Sequence, residues 1–221
     1  MKAAADDRLH AAVARAVSAL PAGAREAAES ERGSLEAYLA FLLERSADLN
    51  LVSARAADPE TLASSHLFDA LFGLPFLPPP GKRGRLLDLG SGGGFPALPL
   101  LLLRRDLVGT VVESVGKKCA FLREAAERLS LTLDVVNARF PDSYPMAKSA
   151  PFDVLTTRAV ASAGRLVRAA RPILVPSARA LLWTTEPLVK DAVRDSRAKS
   201  SAFHRDPTSE RRGLLVLECF T

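Results

Sequence analysis

The chain has few cysteines and no long apolar run. Its 221 residues include two cysteines, Cys119 and Cys219, which lie far apart and have no ligand-like neighbours. This argues against a disulfide framework and a zinc site, and we expect no bound metal. The longest apolar run, residues 97–103, is far too short to cross a bilayer. Because charged residues interrupt the amino-terminal stretch where a secretory signal needs an apolar core, we expect a cytoplasmic protein without membrane contact.

Acidic residues are scarce in the last third of the sequence. The whole chain carries a net charge of +5, and residues 158–212 hold 12 Lys and Arg against five Asp and Glu. Residues 1–157 hold 18 basic and 19 acidic residues, so the excess is confined to one part of the chain. A one-sided positive charge is typical of proteins that bind nucleic acid, although a solvated arginine-rich surface gives the same composition.

The hydrophobic pattern changes after residue 74. Before that point apolar residues recur at helical spacing, with Ser34 predicted to cap one helix and Asp58 to cap another. Residues 75–84 hold four prolines and two glycines, which predict a linker. We therefore divide the chain into a helical cap (1–74), a linker (75–84) and a second domain (85–221).

Short apolar strands alternate with helices from residue 85 onward. Because parallel strands joined by helices form a sheet that is covered on both faces, this pattern predicts an α/β domain. Ligands of such sheets bind beyond the carboxyl ends of the strands. Residues 196–212 are polar and poor in apolar side chains, and we expect them to be mobile. The predicted strands are residues 85–89, 109–114, 132–138, 152–158, 179–185 and 213–220.

A glycine-rich loop follows Asp88 at the end of the first predicted strand, in the stretch LLDLGSGGGFPALPL (residues 86–100). Glycine allows a tight turn and lets the backbone approach a ligand closely. Glu113 ends the second strand, where a carboxylate accepts hydrogen bonds from the two hydroxyls of a ribose. The pair predicts a site for a cofactor that contains adenosine, and the alternative is a turn selected for helix–sheet packing. The loop glycines are Gly90, Gly92, Gly93 and Gly94.

Phe95 occupies the position where a dinucleotide-binding loop carries its third glycine. This side chain argues against NAD, whose pyrophosphate needs that position to be clear. S-adenosylmethionine has no phosphate and presents an amino acid end and an adenosine, which a loop backbone and a carboxylate can hold. The loop therefore favours S-adenosylmethionine, and an NAD-dependent dehydrogenase is an alternative.

The same loop resembles the D-x-G-[ST]-G-x-G-F-P-G-[IL]-P pattern of the RsmG (GidB) methyltransferase family. Residues 50–71, 112–122 and 152–162 are also similar to segments of that family, and the resemblance extends over residues 35–217. It implies a Rossmann-like class I S-adenosylmethionine-dependent methyltransferase fold, with a mostly parallel seven-stranded sheet and a small N-terminal helical cap. It also implies methylation of guanine N7 in 16S ribosomal RNA, by a monomer that acts on this RNA or on the small ribosomal subunit.

The loop pattern and the resemblance together assign the candidate site residues. Arg158, at the end of the fourth strand, is the candidate catalytic residue and also contacts the cofactor. Three cationic residues are candidates for contact with RNA: Lys117, Lys118 and Arg139. The remaining candidates for cofactor binding are Asp88, Gly90, Gly92, Gly94, Phe95, Glu113, Phe140 and Pro141.

The chain departs from the family pattern after the fifth strand, where Thr184 and Thr185 replace a usual Lys-Gly pair. The lost lysine leaves two further alternatives open. One is a non-catalytic factor in RNA binding or ribosome assembly that keeps the cofactor pocket, and the other is a methyltransferase that acts on a small molecule. His66 and Asp69 lie on one helix face, where we expect a structural hydrogen bond that holds the cap against the sheet.

Overall fold

The amino-terminal third of the chain forms a layer of helices. The computed structural model describes residues 2–53, 56–81, 83–160 and 162–218. Three helices come first, and then α4 continues through a π-helical stretch (Leu62–Leu67) into α5. A single 3₁₀ turn (Leu74–Phe76) follows in the described part of the segment before the sheet. The helices are α1 (Lys2–Ser18), α2 (Ala22–Ser30), α3 (Arg32–Leu49), α4 (Pro59–Thr61) and α5 (Phe68–Phe72).

Two helix starts in this layer were predicted, and one of them is confirmed. The Asp58 carboxylate accepts hydrogen bonds from the backbone N–H groups of Glu60 and Thr61, at 3.1 and 3.2 Å, and so caps α4. The prediction of Ser34 as an N-cap is wrong, because α3 already begins at Arg32. The Ser34 hydroxyl instead donates to the Glu31 carboxylate at 2.8 Å.

Seven strands form one mixed sheet in the order β3-β2-β1-β4-β5-β7-β6. The first five strands run parallel, and β7 runs antiparallel to both β5 and β6. This order confirms the predicted α/β fold of the class I methyltransferase type. The strands are β1 (Gly84–Leu89), β2 (Leu107–Glu113), β3 (Leu133–Asn137), β4 (Phe152–Arg158), β5 (Leu174–Thr185), β6 (Ser200–Arg205) and β7 (Arg212–Glu218).

Helices cover both faces of the sheet. The cap helices and the helices α6 (Ala97–Leu103) and α7 (Gly116–Arg128) share one apolar cluster with one face, for example with Leu86 of β1. The helices α8 (Ala163–Ala170) and α9 (Glu186–Ser196) pack on the other face, against side chains such as Leu87. Alternate residues of a strand point to opposite faces, so apolar strands are needed here. The cap and the sheet therefore have a common core.

The expectation that residues 196–212 are mobile is not met in one part of this segment. Ser200–Arg205 form β6, which pairs with β7 at the edge of the sheet. The side chains of β6 are exposed or half-buried because only one neighbouring strand covers it. An edge strand of this kind is held by backbone hydrogen bonds, so its sequence lacks the apolar alternation that would have predicted it. Helix α9 was not predicted either.

No helix in the described part of the chain is long and apolar enough to span a bilayer.

Candidate active site

The loop after β1 turns through three glycines in the left-handed region of backbone space. Gly90, Gly92 and Gly94 have φ values of 78°, 55° and 100°, a conformation that is costly for other residues. The space beyond Cα of Gly92 is open, with no atom within 4 Å of the position of a Cβ. A Cβ on Gly93 would lie 2.9 Å from the Leu42 side chain of α3. One side of the loop is therefore packed on the cap, and the other side is accessible.

Asp88 lies at the base of this loop and is fully buried. The Thr156 hydroxyl of β4 donates a 2.6 Å hydrogen bond to its Oδ1. Its Oδ2 and the nearby Ser91 hydroxyl are buried without a hydrogen-bond partner among the described residues. Burial raises the pKa of the Asp88 carboxyl to about 7, against the lowering effects of the nearby Ser91 and Thr156 hydroxyls. Unpaired polar atoms at this depth are costly in a protein interior and are a common mark of a ligand site.

Glu113 ends β2 directly beside the loop, and its side chain is also buried. Its Oε2 accepts a hydrogen bond from the Gly92 backbone N–H at 3.0 Å, and its Oε1 accepts one from Val115 N–H at 2.8 Å. A carboxylate offers about four acceptor positions, so these two bonds leave capacity for the hydroxyls of a ribose. The loop and the carboxylate that the sequence predicted as partners are therefore in contact.

Phe95 packs toward the cap. Its ring centroid lies 5.4 Å from that of Tyr38 and 5.4 Å from that of His66. The Tyr38 hydroxyl donates a 2.7 Å hydrogen bond to the Gly93 carbonyl, which fastens the loop to α3. The Arg158 guanidinium lies over the Phe95 ring, 5.9 Å from its centroid. Phe95 thus connects the loop, the cap and the end of β4.

Arg158 belongs to a row of four charged side chains with alternating sign. Its Nη2 lies 3.5 Å from Asp69 Oδ2, and the same oxygen lies 3.4 Å from Nη1 of Arg212. Arg212 Nη2 in turn lies 3.2 Å from Asp206 Oδ2. The row joins α5, β4 and the start of β7, so it ties the cap to two strands of the sheet.

Burial is the main influence on the pKa of Asp69 within this row. It raises the pKa of Asp69 to about 6, although Arg158 and Arg212 act in the opposite direction and Asp206 adds to the increase. Burial also lowers the pKa of His66 to about 4, and the positive charges of Arg158 and Arg212 lower it further. His66 is therefore neutral at physiological pH, and its backbone carbonyl accepts a long hydrogen bond from Arg158 at 3.5 Å.

A cavity of about 410 Å³ lies beyond the carboxyl ends of β4 and β5. The charged row lines one part of it, and Phe72, Trp183 and Leu188 contribute apolar surface. Val160 also lines it, and its side chain lies 3.5 Å from the position of a Cβ on Gly90. The cavity therefore borders the glycine loop. This is the place where open α/β sheets bind their ligands.

Comparison with known proteins decides the family. The family model described as rRNA small subunit methyltransferase G (GidB) matches residues 31–204. The chain belongs to this family. It is 38% identical over 163 residues to Ribosomal RNA small subunit methyltransferase G of Anaeromyxobacter dehalogenans, covering 73% of this chain and 72% of that protein. The family prediction made from the glycine loop is thereby confirmed.

Other members align over a smaller part of their length. The protein of the same name from Acidiphilium cryptum is 37% identical over 142 residues, which cover 64% of this chain and 63% of the relative. The one from Stutzerimonas stutzeri is 41% identical over 130 residues, covering 58% and 57%. The chain thus spans less than two thirds of the length of these relatives.

Solved structures support the fold. Precorrin-6y C5,15-methyltransferase from Geobacter metallireducens has a TM-score of 0.54 and 12% identity, covering 67% of this chain and 86% of its own. A methyltransferase from Pyrococcus furiosus has a TM-score of 0.53 and 14% identity, covering 62% and 75%. Similarity at these identities shows a shared fold and nothing more.

The departures from the family pattern lie at the end of β5 and after β3. Thr184 and Thr185, in place of the family's Lys-Gly, line the cavity. Phe140 and Pro141 follow β3, where the Phe140 ring centroid lies 5.3 Å from that of Tyr144. The predicted roles of these residues, like those of the other cofactor-binding candidates, remain predictions.

The three cationic residues predicted to contact RNA lie along the same edge of the sheet. Lys117 and Lys118 are in the first turn of α7, which follows β2, and Arg139 follows β3. Lys117 and Arg139 are exposed, and Lys118 is half-buried. Among the described residues, no group of three or more His, Cys, Asp and Glu side chains could hold a metal ion.

Sequence reasoning missed Arg212 and Asp206 as parts of the site. Arg212 begins β7, and the amino end of an antiparallel strand meets the carboxyl ends of its parallel neighbours. That rule would have placed Arg212 beside Thr185, its partner in β5. Trp183 lies inside an apolar stretch of β5. It is buried there, and it also lines the cavity.

Proposed function

We propose that this protein transfers a methyl group from S-adenosylmethionine to N7 of a guanine in 16S ribosomal RNA. The observation that carries the proposal is the contact between Glu113 and the loop glycine Gly92, in a chain that belongs to the rRNA small subunit methyltransferase G family. That contact supports the proposal, because a carboxylate at the end of the second strand, beside a glycine turn, can accept hydrogen bonds from the hydroxyls of a ribose.

The residues around the loop fit S-adenosylmethionine. Glu113 has acceptor capacity for the ribose hydroxyls, and the open side of Gly92 leaves room for the cofactor. The unpaired oxygens of Asp88 and Ser91 provide polar partners below the loop. Phe140 and Pro141, beyond β3, would flank the adenine through apolar and backbone contacts. When bound, the cofactor supplies an electrophilic methyl group on a sulfonium.

The chemistry at guanine N7 makes few demands on the protein. N7 carries a lone pair in the plane of the ring and no proton, so its methylation needs no general base. The protein must hold N7 in line with the methyl carbon, which is catalysis by proximity and orientation. Arg158 would donate to guanine O6 and leave N7 free. The loss of a lysine at Thr184–Thr185 is compatible with this reaction, because no side chain has to remove a proton.

The acceptor is proposed from the family and the charge distribution. Residues 158–212 carry an excess of positive charge, and Lys117, Lys118 and Arg139 add three further cations. These positive charges would attract the phosphates of RNA. We propose a cytoplasmic monomer whose substrate is 16S ribosomal RNA or the small ribosomal subunit. A second candidate function, favoured only by the missing lysine, is a non-catalytic assembly factor that still binds the cofactor.

The formation of S-adenosylhomocysteine distinguishes these two functions. Purified protein is mixed with S-adenosylmethionine, with and without small ribosomal subunits from cells that lack the endogenous N7 methyltransferase. The proposal predicts product formation that depends on the subunits. Binding of S-adenosylmethionine without any turnover would favour the assembly factor, and binding of NADH in its place would favour a dehydrogenase.

A further inference from the structure

The cavity beside the glycine loop holds a buried carboxylate, Asp69, to which the proposed reaction gives no role. Methyl transfer to N7 needs only that the base be held in place, yet the wall nearest the loop presents a cation and a carboxylate in contact with each other. These are Arg158 and Asp69, 3.5 Å apart. Both are buried or nearly so, with exposed side-chain fractions of 16% and 9%. Charged groups at this depth are costly unless they meet partners.

We propose that Asp69 makes the pocket specific for guanine, by accepting hydrogen bonds from its N1–H and N2 amino groups while Arg158 donates to O6. The inference rests on the proposed function and names the recognition element of that same site. Asp69 is a specificity residue here and takes no part in the methyl transfer itself.

The order of groups along the wall matches the order of atoms around guanine. The base presents N7, O6, N1–H and the N2 amino group in sequence along its edge. Of the two charged groups on the protein, Arg158 lies 5.9 Å from the centroid of the Phe95 ring, which follows the loop glycines, and Asp69 lies 3.5 Å from Arg158. A guanine with O6 at Arg158 and N1–H at Asp69 therefore turns N7 toward the loop, where the methyl donor is proposed to bind.

The same pair rejects adenine. Adenine carries an amino donor where guanine has O6, and an acceptor nitrogen where guanine has N1–H. Arg158 would then face a donor and Asp69 a lone pair, so neither group would gain a hydrogen bond from the base. Sites that hold polar groups for a particular base or substrate discriminate strongly for this reason.

Asp69 has acceptor capacity for this role, and the other carboxylate of the cavity has less. Arg158 and Arg212 approach a single oxygen of Asp69, Oδ2, at 3.5 and 3.4 Å. Asp206 Oδ1 accepts hydrogen bonds from both the backbone N–H and the hydroxyl of Thr208, each at 2.7 Å, and Oδ2 lies 3.2 Å from Arg212. Asp206 thus acts through Arg212 as a positioning residue.

The cavity also has the walls that an extruded base needs. Its size, about 410 Å³, is in the range of small-molecule sites. Phe72, Trp183 and Leu188 supply apolar surface, and Leu188 is unusual among large apolar residues of this chain in being 46% exposed. Enzymes that modify a base in structured nucleic acid take it out of its stack and read its Watson–Crick edge. Leu188, at the first turn of α9, lies where an unstacked nucleotide would meet the protein.

Binding of mononucleotides tests the inference without any transfer step. Trp183 is the sole tryptophan of the chain, it lines the cavity, and its Nε1–H donates to the Asp69 carbonyl at 2.5 Å. Its fluorescence therefore reports on occupation of the pocket. We titrate the protein, saturated with S-adenosylhomocysteine, with the monophosphates of guanosine, inosine, xanthosine and adenosine.

The inference predicts that the four nucleotides bind with different affinities. Guanosine monophosphate quenches the Trp183 fluorescence saturably. Inosine monophosphate, which lacks the N2 amino group, binds at least about tenfold more weakly, or about 1.4 kcal/mol. Xanthosine monophosphate has an oxygen in place of that amino group and binds more weakly still, and adenosine monophosphate gives no saturable change. Equal binding of guanosine and inosine monophosphates, or no saturable response to guanosine monophosphate, would overturn the inference.

The variant Asp69→Asn supplies the converse test. An amide accepts from N1–H and donates to the extra oxygen of xanthine, so this variant should exchange the preference from guanosine to xanthosine monophosphate. Asp191→Asn, at an exposed position of α9 outside the cavity, should keep the preference of the parent protein. If Asp69→Asn does not fold, as judged by its thermal melt, the nucleotide series on the unchanged protein decides. Methyl transfer to ribosomal subunits without the guanosine preference would refute this inference alone, whereas absence of transfer would refute the proposed function.

Discussion

At the residue level, Glu113 holds the glycine loop and is also proposed to bind the cofactor. Its carboxylate already holds two backbone N–H groups, those of Gly92 and Val115. In the proposed complex it also accepts from the cofactor's ribose, so one side chain would both shape the loop and bind the ligand. Because it satisfies two backbone donors, this buried carboxylate has a structural role in the loop even when no ligand is bound.

Replacement of that carboxylate by an amide should weaken cofactor binding. Glu113→Gln keeps the volume of the side chain but exchanges one acceptor oxygen for a donor, which would face the ribose hydroxyls or a loop N–H. We expect S-adenosylhomocysteine to bind at least about tenfold more weakly, or about 1.4 kcal/mol, by isothermal titration calorimetry. Glu127→Gln, at an exposed position of α7, is the control and should bind normally. Unchanged affinity of Glu113→Gln would remove Glu113 from the cofactor site.

Asp88 should make the stability of the protein depend on pH. Its pKa is raised by burial to about 7 from an ordinary 3.8, so the protonated form is favoured in the folded state. The resulting stabilisation is complete below pH 3.8 and is lost as the pH rises to about 7. Asp88→Asn has no such group and should gain stability relative to the parent protein across this window. The slope is at most about 1.4 kcal/mol per pH unit.

Urea denaturation of both proteins at a series of pH values measures this difference. A free energy of unfolding that changes in parallel for the two proteins would show that the buried Asp88 is ionised throughout the window.

At the scale of elements, the cap helix α3 supports the cofactor loop. The Tyr38 hydroxyl is buried and donates to the Gly93 carbonyl at 2.7 Å, and the Tyr38 ring packs on Phe95. A Cβ on Gly94 would lie 3.0 Å from that hydroxyl, so glycine is required for the close approach. The conformation of the loop therefore depends on a helix that is distant in sequence.

Removal of that hydroxyl should affect stability and cofactor binding together. Tyr38→Phe leaves the buried Gly93 carbonyl without its donor, at an expected cost of about 1–2 kcal/mol in the free energy of unfolding. It should also weaken the binding of S-adenosylhomocysteine, because the loop is no longer fastened. Ser196→Ala removes a buried hydroxyl that donates to the Val193 carbonyl of α9, away from the loop. This control should lose stability but bind S-adenosylhomocysteine as tightly as the parent protein. Equal affinities of Tyr38→Phe and Ser196→Ala for S-adenosylhomocysteine would contradict a supporting role for α3.

The sequence predicts the elements that have continuous apolar runs or helical spacing of apolar residues, and fails where packing is weak or long-range. The parallel strands β1–β5 and the helix capped by Asp58 follow from local patterns. Strand β6 does not, since an edge strand exposes most of its side chains. The contact of Glu113 with the loop was predictable because both lie at carboxyl ends of neighbouring strands. The orientation of Phe95 toward the cap and the row from Arg158 to Asp206 join residues far apart in sequence, so no local pattern contains them.

At the scale of the whole molecule, positive charge and the site lie at the same edge of the sheet. Lys117 and Arg139 follow parallel strands at that edge and are exposed. Several other arginines of the carboxyl-terminal third are engaged in surface ion pairs, for example Arg194 with Asp191 and Arg205 with Glu186. Surface pairs of this kind are weak and can be exchanged for phosphates.

The salt dependence of RNA binding should therefore change when a cation is removed at the carboxyl ends of the parallel strands, and should not change when one is removed at their amino ends. Lys117→Gln should reduce the slope of log affinity against log salt by about 0.7–0.9, the value for one phosphate contact. Arg83→Gln removes one exposed charge just before β1, at the opposite edge, and should leave the slope unchanged. Fluorescence anisotropy with labelled 16S ribosomal RNA measures both. If the two variants behaved alike, the RNA would not be placed at the carboxyl edge.

The measurement that tests the central claim most directly is the position of the transferred methyl group. The protein is given radiolabelled S-adenosylmethionine and small ribosomal subunits from cells without the endogenous N7 methyltransferase, and the RNA is then cleaved chemically at N7-methylguanine. The account predicts label at a single guanine of 16S ribosomal RNA and cleavage at that nucleotide. Label that resists this cleavage, or no label from a protein that binds the cofactor, would contradict it.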